Sequence, residues 1–144
     1  MAQFLKVTVG NSVYLLPGKA SLGIVQKDKL MLNGAGGNIV GWKQDASGRW
    51  PAYALTEDWA VDSSASWERA VFIPGSPSPI GIGANTVEMM TNVDIEPQQF
   101  TPAGPAPSRF GHLFNAVWVD DGVTHLVINP PGVAGYLSTV GGSS

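Results

Sequence analysis

The sequence has no cysteine, which excludes disulfides and thiolate-bound metals outright. It has little charge. Only 13% of residues are Asp, Glu, Lys or Arg, and 8 basic residues stand against 11 acidic ones, a formal charge of −3. A chain so poor in basic groups lacks the electrostatic footprint that nucleic acid requires, so no nucleic-acid partner is expected. No apolar run approaches the ~20 residues needed to cross a bilayer. Met1-Ala2-Gln3-Phe4-Leu5-Lys6 also lacks the apolar stretch of a signal peptide. The expectation is a cytoplasmic protein with no membrane insertion. Long helical windows are scarce too, because 18 Gly and 11 Pro interrupt the chain every few residues.

What is present fits one domain of ordinary size: 144 residues, 44% of them hydrophobic. Low charge beside that much apolar character points to a surface that meets a partner. Between the Gly and Pro breaks the segments alternate. Phe4, Lys6 and Thr8 sort onto one face of a strand, and Leu5, Val7 and Val9 onto the other. Gly10-Asn11 turns the chain and residues 12–16 return. Residues 29–32, 38–43, 50–55, 68–73, 80–84, 86–90, 110–119 and 123–129 read as further strands. Residues 20–28 fit either a helical turn or an extended crossing. The loops fall at 33–37, 44–49, 56–66, 74–79 and 97–109, with Trp59 a residue that would pin the third of them. Pro51 cannot donate to a ladder, so its strand should have a free edge there. Pro130-Pro131-Gly132 should stop the last strand, residues 133–137 fit a short helical turn, and 141–144 should be a disordered tail. Many short strands with frequent turns argue for barrels or a sandwich.

Sites for chemistry are thin. The two histidines, His112 and His125, would face each other if they sat on neighbouring antiparallel strands, and Asp120 or Asp121 would complete a metal triad. The alternative is two strand residues on a half-exposed sheet, with the aspartates employed in the turn. The acids Glu57, Asp58, Asp62 and Glu68 flank a loop and read as a solvated face rather than a general acid–base pair. The serines sit in turns, and no nucleophile-elbow sequence is present. The glycine loop 33–37 has no helix pattern after it, as a phosphate cradle would need. No catalytic residue, cofactor or metal is therefore assigned. The five tryptophans are the conspicuous feature: Trp42 and Trp50 flank one hairpin, Trp59 and Trp67 border the middle loop, and Trp118 lies in a late strand. They fill a core or anchor a partner, and Arg49 beside Trp50 fits the second role.

The order of these segments resembles the CheW-like coupling domains of bacterial chemosensory arrays over nearly the whole chain. Residues 4–14 are similar to that family's first hairpin, followed by Leu16-Pro17 where the family often reads Leu-Pro. Residues 38–43 and 51–55 are similar to its central pattern, a Gly-x-x-x-Trp-Arg-like turn followed by Pro-x-x-Asp-Leu. Residues 80–87 resemble its Gly-x-x-Val-Asp-x-Val, and 110–119 with 121–129 its closing hairpin. The departures fall on charge. The acid of a Val-x-Glu-Ile stretch is missing near Ser21, Gly23 and Ile24, and Arg-Gly becomes Lys43-Gln44. Ala54 and Asn85 stand where the family has Asp. The apolar pattern that sets a fold survives this, while the groups that set partner specificity are altered.

The resemblance implies a mostly β fold of two small SH3-like five-stranded β-barrels packed together. It implies a single domain over 1–140, here divided into its two subdomains near residue 62. It implies a non-catalytic adaptor that couples a chemoreceptor cytoplasmic tip to a CheA-type histidine kinase, in chemotaxis or twitching-motility signalling. Lys43 matches the family's interface Arg, with Trp42 beside it, and Val87 matches an apolar position on the second barrel. Arg49 and Trp50 join them as expected protein-binding residues on physical grounds alone. Two rival expectations stand beside this one. The chain is a structural or self-assembling β-module, a homo-oligomer that kept the fold and lost the coupling role, or it is an enzyme or small-molecule binder that uses the groove.

Overall fold

The computed structural model describes residues 4–31, 39–45, 48–57, 59–75, 78–90, 96–100, 112–120 and 122–140. The strands are β1 (Phe4–Val9), β2 (Ser12–Pro17), β3 (Gly23–Gln26), β4 (Ile39–Asp45), β5 (Gly48–Ala54), β6 (Arg69–Ile73), β7 (Ile80–Ala84), β8 (Thr86–Met90), β9 (Gln98–Gln99), β10 (Phe114–Asp120) and β11 (Val123–Ile128). One helix, α1 (Pro130–Val140), closes the series. Two sheets result: a six-stranded one in the order β8-β1-β2-β11-β10-β9 and a five-stranded one in the order β3-β6-β7-β5-β4. The fold is thus mostly β and two-part, as expected, with a two-residue strand as the sixth member of the larger sheet.

The sheets interleave in sequence, so no boundary falls near residue 62. β4 and β5 precede that point and share a sheet with β6 and β7, while β1 and β2 join β8 to β11. Four pairings do this, the parallel pairs β2 with β11 and β5 with β7 and the antiparallel pairs β1 with β8 and β3 with β6. Alternation along each strand shows which faces are apolar but carries no information about which distant strand lies alongside.

Alternation also divides the core into three. Leu5, Val7, Val9, Tyr14 and Leu16 of the larger sheet meet Tyr53, Leu55, Val71, Ile73, Ile80 and Ile82 of the smaller one, with Val133, Ala134 and Leu137 of α1. The opposite faces of β5 and β6 give a second cluster of Ala52, Ala54, Ala70 and Phe72 with Leu30 and Trp67. A third holds Phe4, Leu15, Ala116 and Val127. The second cluster explains the small residues on its strands. A Cβ at Gly81 would lie 2.7 Å from the Phe72 ring. The interior is so narrow that one large ring uses the space that neighbouring side chains would take.

Three local readings differ from expectation. Residues 20–28 contain β3 between two single 3-10 turns, Gly18–Ala20 and Lys27–Lys29. Of the strand expected at 29–32, Lys29 ends a 3-10 turn and Met31 bridges Trp42, while residue 32 lies outside the described residues. Pro130 opens α1 instead of merely stopping β11, since a proline at a helix start loses no hydrogen bond. Pro51 behaves as expected: it pairs with Trp42 on one side, and the ladder with β7 begins only at Ala52. The glycine loop at 33–37, residues 101–109 of the proline-rich loop and the tail 141–144 lie outside the described residues.

Candidate functional site

The β4–β5 hairpin carries four of the five expected binding residues. Its antiparallel register sets Lys43 opposite Trp50, Gln44 opposite Arg49 and Trp42 opposite Pro51. Successive side chains alternate, so Lys43 and Trp50 share one face while Trp42 and Arg49 share the other. On the first face Lys43 Nζ sits 4.2 Å from the centre of the Trp50 ring. Trp50 in turn leans on Phe72, ring centres 5.9 Å apart, and so belongs to the interior of the five-stranded unit. On the second face the Arg49 guanidinium lies 4.6 Å from the Trp42 ring, with Arg49 exposed and Trp42 half-buried. A cation over an indole face gains about 0.5–1 kcal/mol at an exposed site. Each pair therefore holds a long cationic side chain in one orientation.

Val87 lies elsewhere. It sits on β8, opposite Val7 at the edge of the six-stranded sheet, and packs on the central core. The structure thus gathers Trp42, Lys43, Arg49 and Trp50 on one hairpin and sets Val87 on the other sheet.

The histidines are not brought together. His125 is opposite Trp118 and stacks on it, ring centres 5.7 Å apart. His112 precedes β10, and its carbonyl accepts a hydrogen bond from Asn129 Nδ2 at 2.9 Å. Among the described residues no three His, Asp or Glu side chains cluster as metal ligands. The acids of the middle loop serve structure. The Asp62 carboxyl accepts from the Ser64 hydroxyl at 2.7 Å and from the Ser64 N–H at 3.0 Å, which holds it below the usual aspartate range. Glu57 Oε1 accepts from the Asn11 N–H at 2.9 Å.

Sequence reasoning missed the junction to which Glu57 belongs. The Gly10-Asn11 turn of the larger sheet is held at two points from outside its own hairpin. Asn85 Oδ1 accepts the Gly10 N–H at 2.6 Å, and Asn85 Nδ2 donates to the Ser66 carbonyl at 3.3 Å. Gly10 has φ +63°, and a Cβ there would run into Glu57. Asn85 uses both ends of its amide, a donor–acceptor pairing that a carboxylate cannot make. The one available signal was the departure itself, an Asn at a position where the resemblance predicts Asp. Next to this junction is an open cleft of about 560 Å³ lined by Gln26, Lys27, Asp28, Glu68, Arg69 and Asn85. Lys27 Nζ also stands over a ring, 5.0 Å from the centre of Trp67.

Trp59 pins the middle loop, as expected, by burial. It is 3% exposed, edge-on to Tyr14 and Phe114 at 5.1 and 5.2 Å, and its carbonyl accepts from the Tyr136 hydroxyl at 2.8 Å. Its φ of +64° is unfavourable for a bulky residue, so packing holds a strained backbone there.

No protein-family profile matches the sequence, and none of the curated proteins matches it significantly. Among solved structures, the crystal structure of the scaffolding protein TtCheW from Thermoanaerobacter tengcongensis is similar to it. The TM-score is 0.56 at 11% identity, covering 89% of this chain and 88% of that chain. The likeness supports a CheW-like fold, and at that identity it carries the fold alone. Among the described residues no helix is long and apolar enough to cross a membrane.

Proposed function

We propose that this chain is a non-catalytic adaptor of the cytoplasm that couples a chemoreceptor cytoplasmic tip to a CheA-type histidine kinase. The observation that carries the reading is the shared architecture with a scaffolding protein over 89% of the chain. The hairpin supports it physically. Arg49 on Trp42 offers an aromatic and a cation already held against each other, which lowers the ordering cost of binding. Trp42 and Arg49 on one face of the hairpin, with Lys43 over Trp50 on the other, are its protein-binding residues, and Val87 adds an apolar contact from the other sheet. The mechanism is surface complementarity without turnover. Tagged protein drawn from its native lysate should bring down a CheA-like kinase or a receptor, and Arg49→Glu should lose it while costing no more stability than the ~1 kcal/mol of its contact with Trp42. Recovery of neither by the wild-type chain rejects the reading.

A second reading is favoured by two observations: Asn85 is employed within the junction between the sheets, and Lys43 is engaged on Trp50. Both stand where the family resemblance leads one to expect partner-facing charge. In this reading the chain is a structural or self-assembling β-module that kept the fold and lost the coupling role. A stable homo-oligomer that ignores added kinase in sedimentation would select it.

A further inference from the structure

β3 is the outermost strand of the five-stranded sheet and pairs with β6 on one side. The register sets Gly23 opposite Phe72 and Val25 opposite Ala70, and the Lys27 N–H donates to the Glu68 carbonyl at 2.9 Å in the same register. In an antiparallel ladder alternate residues turn their backbone groups to the neighbour. Gly23, Val25 and Lys27 therefore face β6, and the backbone groups of Ile24 and Gln26 face outward. The side chains are unguarded as well. Leu22 and Ile24 are each 43% exposed.

Other edges of the two sheets are blunted in ways that β3 is not. The outer side of β4 is closed by Met31, which exchanges hydrogen bonds of 2.8 and 2.9 Å with Trp42. β8 carries Glu88, and β9 is only two residues long. β3 has no charge and no proline, two of the devices by which a sheet edge discourages pairing, and the register slips only before it, where the Leu22 N–H joins Gly23 on Phe72.

We propose that β3 pairs antiparallel with β3 of a second copy of this chain, about a two-fold axis at Ile24. Such an axis is isologous, so each copy offers the same edge, and it keeps the exposed faces of both strands on one side. Ile24 then exchanges both backbone bonds with its mate, while the Leu22 N–H stays on the Phe72 carbonyl at 2.7 Å. No charged residue lies between Lys19 and Lys27, so this pairing sets no like charges opposite each other along the strand. The segment is short, and it buries less than the ~1,200 Å² of a standard interface. The dimer is therefore weak and forms at high micromolar concentration. The inference stands apart from the adaptor reading, because it uses neither the hairpin nor Val87.

The lack of native cysteine makes the register testable. A hydrogen-bonded antiparallel pair has Cα atoms about 5.5 Å apart, within disulfide range. Leu22 and its own mate are separated by four residues along the strand, about 13 Å, beyond that range. Under mild oxidation Ile24→Cys should give a species of twice the monomer mass more than about tenfold faster than Leu22→Cys, whose parent side chain is equally exposed. Equal rates, or none for either, overturn the proposal. Ile24→Lys should lower the weight-average mass from sedimentation equilibrium toward that of the monomer, with an unchanged thermal melt. A wild-type chain that stays monomeric at the highest soluble concentration, or a variant that still dimerises, also overturns it. Loss of kinase or receptor capture by Arg49→Glu with I24C cross-linking intact would separate the two proposals.

Discussion

The five-stranded unit sets cations over three indoles, while around the six-stranded sheet rings meet rings. Lys27 stands over Trp67, Lys43 over Trp50 and Arg49 over Trp42, all in the smaller unit. In the larger sheet Tyr14 stacks on Phe114 at 5.2 Å, Trp59 meets both edge-on, and Trp118 lies against His125. The two solutions follow from geometry. The smaller unit packs Phe72 and the buried Trp67 among Ala52, Ala54, Ala70 and Gly81, while Trp42 and Trp50 stay half-buried, and a long cationic stem lies over each indole. Tyr14, Phe114 and Trp59 lie at the central core, where an unpaired charge would be costly and a ring edge is the available partner, while Trp118 packs on the third cluster. A chain with few charges thus places three of its eight basic side chains where each covers apolar surface.

Substitutions can break this contrast, and the largest effect belongs to the narrow interior. Phe72→Ala should cost about 3–5 kcal/mol in urea unfolding, because Gly81 and its small neighbours cannot collapse into the space. Trp59→Gly removes a ring of similar size on the other side but also relieves an unfavourable backbone, so its cost should be lower, about 2–4 kcal/mol. A Trp59→Gly loss larger than that of Phe72→Ala would show that φ +64° stores no strain.

Asn85→Asp tests the junction between the sheets. It restores the acid of the family pattern but loses the donor to the Ser66 carbonyl, and it should destabilise by about 1–2 kcal/mol in thermal or urea melts. A stabilised variant would mean that the amide is not what holds the turn. Lys43→Glu should cost about 0.5–1 kcal/mol through the lost contact with Trp50, with a matching change in tryptophan fluorescence. No loss of stability at all would return Lys43 to a purely partner-facing role.

The smallest effect is acid-dependent. The Ser64 hydroxyl and N–H lower the folded Asp62 pKa, so the contribution of this group is present above the unfolded carboxylate range. It fades as pH falls through that range toward the folded value. Asp62→Ala should therefore bring stability at neutral pH slightly closer to that at acid pH, as read from paired urea melts. An unchanged difference between the two would assign the acid sensitivity to other carboxylates.

Much of the fold was legible because Gly and Pro separate its strands. The Gly10-Asn11 hairpin, β5, β6, β7 and β11 fall where alternation and turn residues set them. The sheet membership was not legible. β7 and β8 are separated by Asn85 alone and look like one hairpin, yet they belong to different sheets. Nothing local distinguishes a turn that folds back from one that crosses between layers. The hairpin site was legible as a set of residue types, Trp, Lys, Arg and Trp, but not as two stacks on opposite faces, because the register between β4 and β5 decides which cation meets which ring. Glu57 and Asn85 were invisible as a pair, since their common partner is a turn 46 and 75 residues away in sequence.

The parallel contact of β2 with β11 has a consequence for biosynthesis. β2 emerges early from the ribosome, but its neighbour arrives only after every strand of the five-stranded sheet has been made. The first hairpin must therefore wait with one flank unoccupied, while β3 to β7 have all of their partners at hand. Assembly of the smaller sheet before the larger is the order that chain connectivity favours, and the pairing of β2 with β11 closes the longest loop between paired strands.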